Sequence, residues 1–283
     1  MKEIPLTNWA DFEPEIQRIA AEQHERETKS GRQFGKVLFR GMANDKWGLE
    51  TTLERSYPGE RCDATNSFLS YYLKVTSAQP AIETFSGKRW DKILTYPKFK
   101  ELLTRNKGKW FDWLLKDQTE VCEFLVYLRH HGFPSPLLDW SYSPYVAAFF
   151  AFDAPPDGAD RVCIYALLRD GIHLMSADEH LFVLGPYMRT HPRHLLQQCD
   201  YSMCVQMDFK ADDYRFVPHG PAISALAGPE GELFKITVPV SEREVALKKL
   251  DLMNINPYSL FGSEDSLIRT AARRECLFRS WSL

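Results

Sequence analysis

HHGFPSPLLDWSYSPYVAAFFAF, residues 130–152, constrains how the rest of the chain must be arranged. Its second half, 145–152, is apolar almost all round, and a helix of that composition has no face to give to water. Ser143 suits the N-cap, and Pro144 suits the first helical position, where its missing N–H costs nothing. A buried helix is therefore expected from Pro144 onward. Upstream, Gly132, Pro134 and Pro136 end a preceding helix over 121–131 that turns Phe124, Leu125 and Leu128 inward. Between the two helices stands a polar cluster, Asp139-Trp140-Ser141-Tyr142-Ser143, at the doorway of the most buried segment.

Working outward, Pro155-Pro156-Asp157-Gly158 closes the apolar helix, and 162–167 reads as a strand. Further strands are expected at 233–238 and at 36–41, the latter stopped by Arg40 and Gly41. Near the N-terminus, Ile16, Ile19 and Ala20 have helical spacing, with Gly31 as the stop. The stretch 63–128 is mostly helical. Phe68, Tyr71 and Tyr72 share one face, as do Phe99, Leu102 and Leu103, then Trp110, Trp113 and Leu114, and all read as helix–helix core. Ser241 and Glu244 have the spacing of a capping box for a helix through Leu250, and 260–280 reads as helical. There is no internal repeat and no low-complexity linker. The expectation is an α+β fold in a single domain over 1–283, a mixed or antiparallel β core with surrounding helices and a helical insertion at 63–120.

The 283 residues, 44% of them hydrophobic, are enough for a substantial core. A net charge of −3 and a pI near 6.3 supply no basic stripe for backbone binding to nucleic acid. The cysteines at 62, 122, 163, 199, 204 and 276 form no CxxC and read as reduced packing thiols. Cys199 and Cys204 lie near His191 and His194 but lack ligand spacing, so no metal is expected. No window approaches a membrane span and no apolar signal core opens the chain, which points to a cytoplasmic protein without membrane contact. Neither GxGxxG nor a P-loop is present.

Two positions could carry chemistry. Ser143 at a helix start, beside free first-turn amides, makes an anion-tolerant spot, with Asp139 and Ser141 facing the same space. On the plainer reading, Asp139 and Ser141 only satisfy turn amides. Arg40 ends a strand, where its guanidinium can fork onto a phosphate or carboxylate, and Gly41 lets a ligand approach the backbone. The plainer reading pairs Arg40 with a core carboxylate such as Asp139. Both alternatives stand at this point.

Phe39-Arg40-Gly41, followed by Trp47-Gly48-Leu49 and Leu53-Glu54-Arg55, resembles the signature of the FRG domain. The block from Glu123-Phe124-Leu125 through His130-His131-Gly132-Phe133-Pro134 to Leu137-Leu138-Asp139-Trp140-Ser141 is similar to that family's second element. Arg193 with Gln197-Gln198, and Asn256-Pro257-Tyr258-Ser259-Leu260-Phe261 through Ala271, resemble its later blocks. Ser135-Pro136 departs from the family's usual Thr-Arg, and the Gly that usually follows the Gln is missing.

A more distant resemblance is to ADP-ribosyltransferases of the Arg-Ser-Glu type. Phe39-Arg40-Gly41, Ser141-Tyr142-Ser143 and Glu230-Gly231-Glu232 fall in that group's order. This likeness implies NAD as substrate, with Arg40 on the pyrophosphate, Ser141 or Ser143 on the nicotinamide ribose, and Glu230 or Glu232, or alternatively Gln197 or Gln198, as the third catalytic group. It implies Phe39, Gly41, Asp139 and Trp140 around the ligand, and the glutamates themselves sit in what reads as a solvated Gly/Pro-rich hairpin. The expected activity is ADP-ribosyl transfer or NAD glycohydrolysis, in a toxin or antiviral-defence effector with a protein or nucleic-acid acceptor. The rival is a non-catalytic module sensing a nucleotide or acidic ligand. A metal-dependent nuclease, needing a second ligand across from Asp139, ranks last.

Overall fold

A computed structural model of the chain describes residues 1–31, 35–56, 67–106, 109–169, 173–175, 179–185, 188–208, 210, 213–226 and 231–278. Strand β1 (Lys2–Pro5) is followed by α1 (Phe12–Ser30), β2 (Leu38–Met42) and the short α2 (Thr52–Ser56). Four helices come next: α3 (Phe68–Ser86), α4 (Tyr96–Arg105), α5 (Trp110–Asp117) and α6 (Thr119–His130). Strand β3 (Leu138–Ser141) leads into α7 (Pro144–Asp153) and β4 (Arg161–Arg169). Then come β5 (His173–Met175), β6 (Glu179–Val183), α8 (Pro192–Leu196), β7 (Cys199–Asp208), β8 (Asp213–Phe216) and α9 (His219–Leu226). The described chain finishes with β9 (Gly231–Pro239), α10 (Arg243–Leu252), α11 (Pro257–Phe261) and α12 (Glu264–Ala272), which continues into a π-helical segment, Arg273–Leu277.

The strands form one mixed sheet in the order β1-β9-β4-β2-β3-β7-β6-β5, with β8 on β7. Strand β1 runs parallel to β9, and the other pairs are antiparallel. This is the expected α+β class. No described helix is long and apolar enough to cross a membrane.

Helix α7 forms as its sequence requires. Ser143 Oγ accepts the Val146 N–H at 3.3 Å, Pro144 opens the first turn, and Val146, Ala147, Ala148, Phe149, Ala151 and Phe152 are all buried. Its small residues lie directly on β2. A Cβ at Gly41 would stand 1.8 Å from the Ala147 carbonyl oxygen, so only glycine lets helix and strand meet there. Gly41 was expected to admit a ligand to the backbone; the close approach it permits is that of α7.

Around α7, Trp9, Phe12 and Ile19, the inward residues of β4 and β9, and Ala246, Leu247 and Leu250 of α10 make one core. A second core joins α3 to α6 with Phe182, Tyr201, Met203, Val205, Tyr214 and Phe216 of the β6–β8 region. The aromatics expected to share helix faces here are buried in it, Phe68, Tyr71, Tyr72, Phe99, Trp110 and Trp113 among them. The opposite sheet face carries a third core, with Leu38, Leu138, Trp140, Tyr165 and the α9 residues Ala222 and Ile223.

Several local expectations change. Asp139, Trp140 and Ser141 belong to strand β3, paired along its length with β7, and the bend begins only at Tyr142. Glu232 lies in β9 opposite Leu168 rather than in a hairpin turn, while Glu230 falls outside the described residues. The capping box at Ser241 does not form, because Val240–Glu242 make a 3-10 turn and the Glu242 carboxylate accepts the Trp9 N–H at 2.8 Å. The C-terminal helix is broken by Gly262 at φ 63°, and capping boxes at Asn256 and Ser263 start α11 and α12.

Candidate functional site

Strands β2 and β3 meet at one pair of residues, Phe39 opposite Ser141. Continuing that register by two residues would set Gly41 opposite Asp139. Instead Arg40 Nη1 donates to the Asp139 backbone oxygen at 2.7 Å and to its Oδ1 at 2.9 Å, so a guanidinium takes the acceptor that a neighbouring strand would use. Arg129, in the last turn of α6, donates Nη2 to the same Oδ1 and Nη1 to Thr52 Oγ1 at 2.7 Å. One carboxylate thus ties together β2, β3, α6 and α2.

The placement of α2 is also set locally. Thr51 N–H donates to Glu54 Oε2 at 2.6 Å, and Glu54 N–H to Thr51 Oγ1 at 3.2 Å, a reciprocal capping box. Leu53 N–H reaches the Ser135 carbonyl at 3.1 Å, which fastens the helix to the segment before β3. The result is that Arg55 projects beside the junction of β2 and β3.

A cavity of about 550 Å³ opens at that junction. Its charged walls are Arg40, Arg55, Asp139 and Glu50, and its apolar walls include Phe39, Trp47, Trp140 and Phe150. Trp47 is 47% exposed at the rim. Arg40 is nearly buried, and its Nε has no partner among the described residues. Both guanidiniums converge on Oδ1 of Asp139, and Oδ2 takes no bond from any described residue although the side chain is 43% exposed.

Burial by itself would raise the Asp139 carboxyl, but the guanidiniums of Arg129 and Arg40 outweigh it and hold it far below the usual carboxylate range. Asp139 is therefore a fixed anion and not a proton donor near neutrality. Burial, followed by repulsion from Arg40 and Arg129, lowers Arg55. Behind β3, the Tyr201 hydroxyl lies 2.8 Å from His130 Nε2, and burial pushes His130 down to about 4.

The expected site residues divide in two. Phe39, Arg40, Gly41, Asp139, Trp140 and Ser141 line the cavity, and Ser143 does not. The Ser141 hydroxyl donates to the Gln197 carbonyl at 2.8 Å and accepts the Ser143 N–H at 3.0 Å, which is the turn-satisfying role. Gln198 is exposed with φ 50°, and its carbonyl accepts the Tyr142 N–H at 2.9 Å, whereas its neighbour Gln197 is buried and lines the cavity. Arg40 pairs with Asp139, as on its plainer reading, and it also lines the cavity. Trp47, Glu50, Arg55, Arg129 and Phe150 were not singled out as site residues. Trp47 and Arg55 stand in the blocks that resemble the FRG signature, and the Thr-x-x-Glu of residues 51–54 has a capping-box spacing ahead of Arg55.

The family model of the FRG domain matches residues 35–159. The chain carries an FRG domain. No curated protein and no solved structure matches the chain. The FRG segment holds Arg40, Arg55, Arg129, Asp139 and Glu50, while Gln197 and Cys199 enter the cavity wall from outside it. Among the described residues no group of three or more His, Cys, Asp or Glu side chains is arranged to hold a metal ion, and Cys199 and Cys204 are buried and in no disulfide.

Proposed function

We propose that the FRG domain binds NAD or a related nucleotide in this cavity and cleaves its N-glycosidic bond, passing ADP-ribose to water or to a protein or nucleic-acid acceptor. The carrying observation is Asp139: one carboxylate oxygen is clamped by two arginines, the other takes no bond from any described residue, and the residue lines a cavity of about 550 Å³. That volume suits a small-molecule ligand. Arg40, with an unpaired N–H, and Arg55 at the mouth supply donors for a pyrophosphate, and Trp47 and Phe150 supply faces for a base. Asp139 Oδ2 then accepts a ribose hydroxyl and stabilises the cation that develops at C1′ as nicotinamide departs. With Ser141 committed to backbone groups, the sugar contact falls to Asp139. Such an activity fits a toxin or a defence effector.

The test is nicotinamide release on incubation with NAD. Arg40→Ala is expected to lower the rate about 100-fold or more, the scale of losing one charged donor at a developing charge. Release at the wild-type rate in that variant would defeat the assignment. The committed hydroxyl of Ser141 favours a second reading, a ligand-sensing module without turnover. Its signature is thermal stabilisation by NAD, about 2.7 kcal/mol at a hundredfold excess over Kd, with no nicotinamide formed.

A further inference from the structure

Two carboxylates line the cavity among the described residues, Asp139 and Glu50, and their surroundings differ. Asp139 sits on the sheet, pinned by Arg40 and Arg129, and cannot take up a proton near neutrality. Glu50 sits on the solvent side, exposed, in the segment between β2 and α2. Its backbone carbonyl accepts from Arg55 Nη1 at 3.4 Å, but its carboxylate takes no bond from any described residue. An acceptor must reach the sugar from the open side, where Glu50 stands.

We propose that Glu50 activates the oxygen that receives the ribosyl group, which rests on the glycosidic reading above. In this division of labour Asp139 stabilises positive charge and Glu50 handles the proton. As the C1′–N bond breaks, its electron pair leaves with the ring nitrogen and nicotinamide departs neutral. A lone pair of the acceptor hydroxyl or water forms the C1′–O bond, and the acceptor's proton passes to the Glu50 carboxylate and then to solvent. General-base assistance of this kind contributes roughly 10²–10⁴-fold.

The experiment uses the full chain with NAD as probe, reading binding by thermal shift and turnover by nicotinamide release. Glu50→Gln, a change at an exposed side chain, is expected to keep the wild-type thermal shift and lose release by roughly 10²–10⁴-fold. Sodium azide needs no base because it carries no proton to lose. It should therefore restore release in Glu50→Gln and yield the ribosyl azide, while leaving Asp139→Asn inactive. Release by Glu50→Gln at the wild-type rate overturns the proposal, as does failure of azide to raise release in a Glu50→Gln protein that still binds NAD. Absence of both binding and release in the wild type instead overturns the glycosidic reading itself, and the role of Glu50 with it.

Discussion

The two halves of the sheet are built differently. In β1-β9-β4-β2, strands β4 and β9 pair over nine residues, and the inner face is largely aliphatic, with Val162, Ile164, Ala166, Ile236 and Val238 packed under α7. In β3-β7-β6-β5, the covering layer is α3 to α6, and rings dominate: Tyr72 stacks on Phe99 at 3.7 Å and Phe111 on Phe182 at 4.0 Å. One backbone pair, one shared carboxylate and, on the opposite sheet face, the third core with Leu38, Leu138, Trp140 and Tyr165 join the halves. Neither the aliphatic nor the ring-rich core reaches across the seam, where Arg40, Asp139 and the cavity lie.

The largest expected effect comes from jamming the aliphatic half. Gly41→Val puts a side chain against the Ala147 carbonyl, 1.8 Å from its first carbon, and should cost more than about 4 kcal/mol or prevent folding. Urea unfolding reads this directly, and Gly48→Ala, with nothing within 4 Å, should change stability by only about 0.5 kcal/mol. Phe124→Ala empties a fully buried position in the ring-rich half and should cost about 3–5 kcal/mol. Hydrogen exchange should then quicken in α3 to α6 and β6 to β8 before β4 and β9; equal quickening everywhere would mean the halves unfold as one.

Asp139→Asn cuts the node at the seam and leaves two nearly buried guanidiniums without their anion. A loss of about 2–3 kcal/mol is expected by denaturant unfolding, together with loss of the proposed nucleotide binding. Acid sharpens the contrast. Burial holds His130 at about 4 and His219 at about 3, so both stay neutral in the fold while the unfolded chain takes up protons near 6.5. The unfolded state then binds more protons, and stability falls as pH drops from about 6.5 toward 4, with the depressed Asp139 adding to the loss below about 4. His130→Gln should flatten that slope in pH-dependent melting. The smallest effect on stability belongs to Trp47→Ala at the exposed rim, within about 0.5 kcal/mol, although on the proposed reading the loss of a stacking face there should weaken nucleotide binding by about 1–3 kcal/mol.

Helix α7 and strands β2, β4 and β9 were legible because each carries its signal within a few residues: an N-cap followed by proline, or an apolar run ended by a breaker. Strand β7 was not. Cys199–Asp208 is buried on both faces through Val205 and carries Asp200 and Ser202 inside the protein, which destroys alternation. Those polar groups are satisfied from a distance, Asp200 by the Gly185 N–H and the Tyr142 hydroxyl, Ser202 by Trp140 Nε1. Strand β3 was hidden within a polar cluster for the same reason, since Asp139 finds its partners 10 and 99 residues away.

By itself the sequence determined the α+β class, the buried helix after Ser143 and an arginine at a strand end near a carboxylate, because periodicity, capping and chain breaking are local effects. Only the tertiary structure decided that β2 and β3 part after one pair, that Gly41 serves α7, and that Arg55, Arg129 and Glu50 join Arg40 and Asp139. Those groups lie far apart along the chain, and their convergence depends on how the two cores pack against a common sheet.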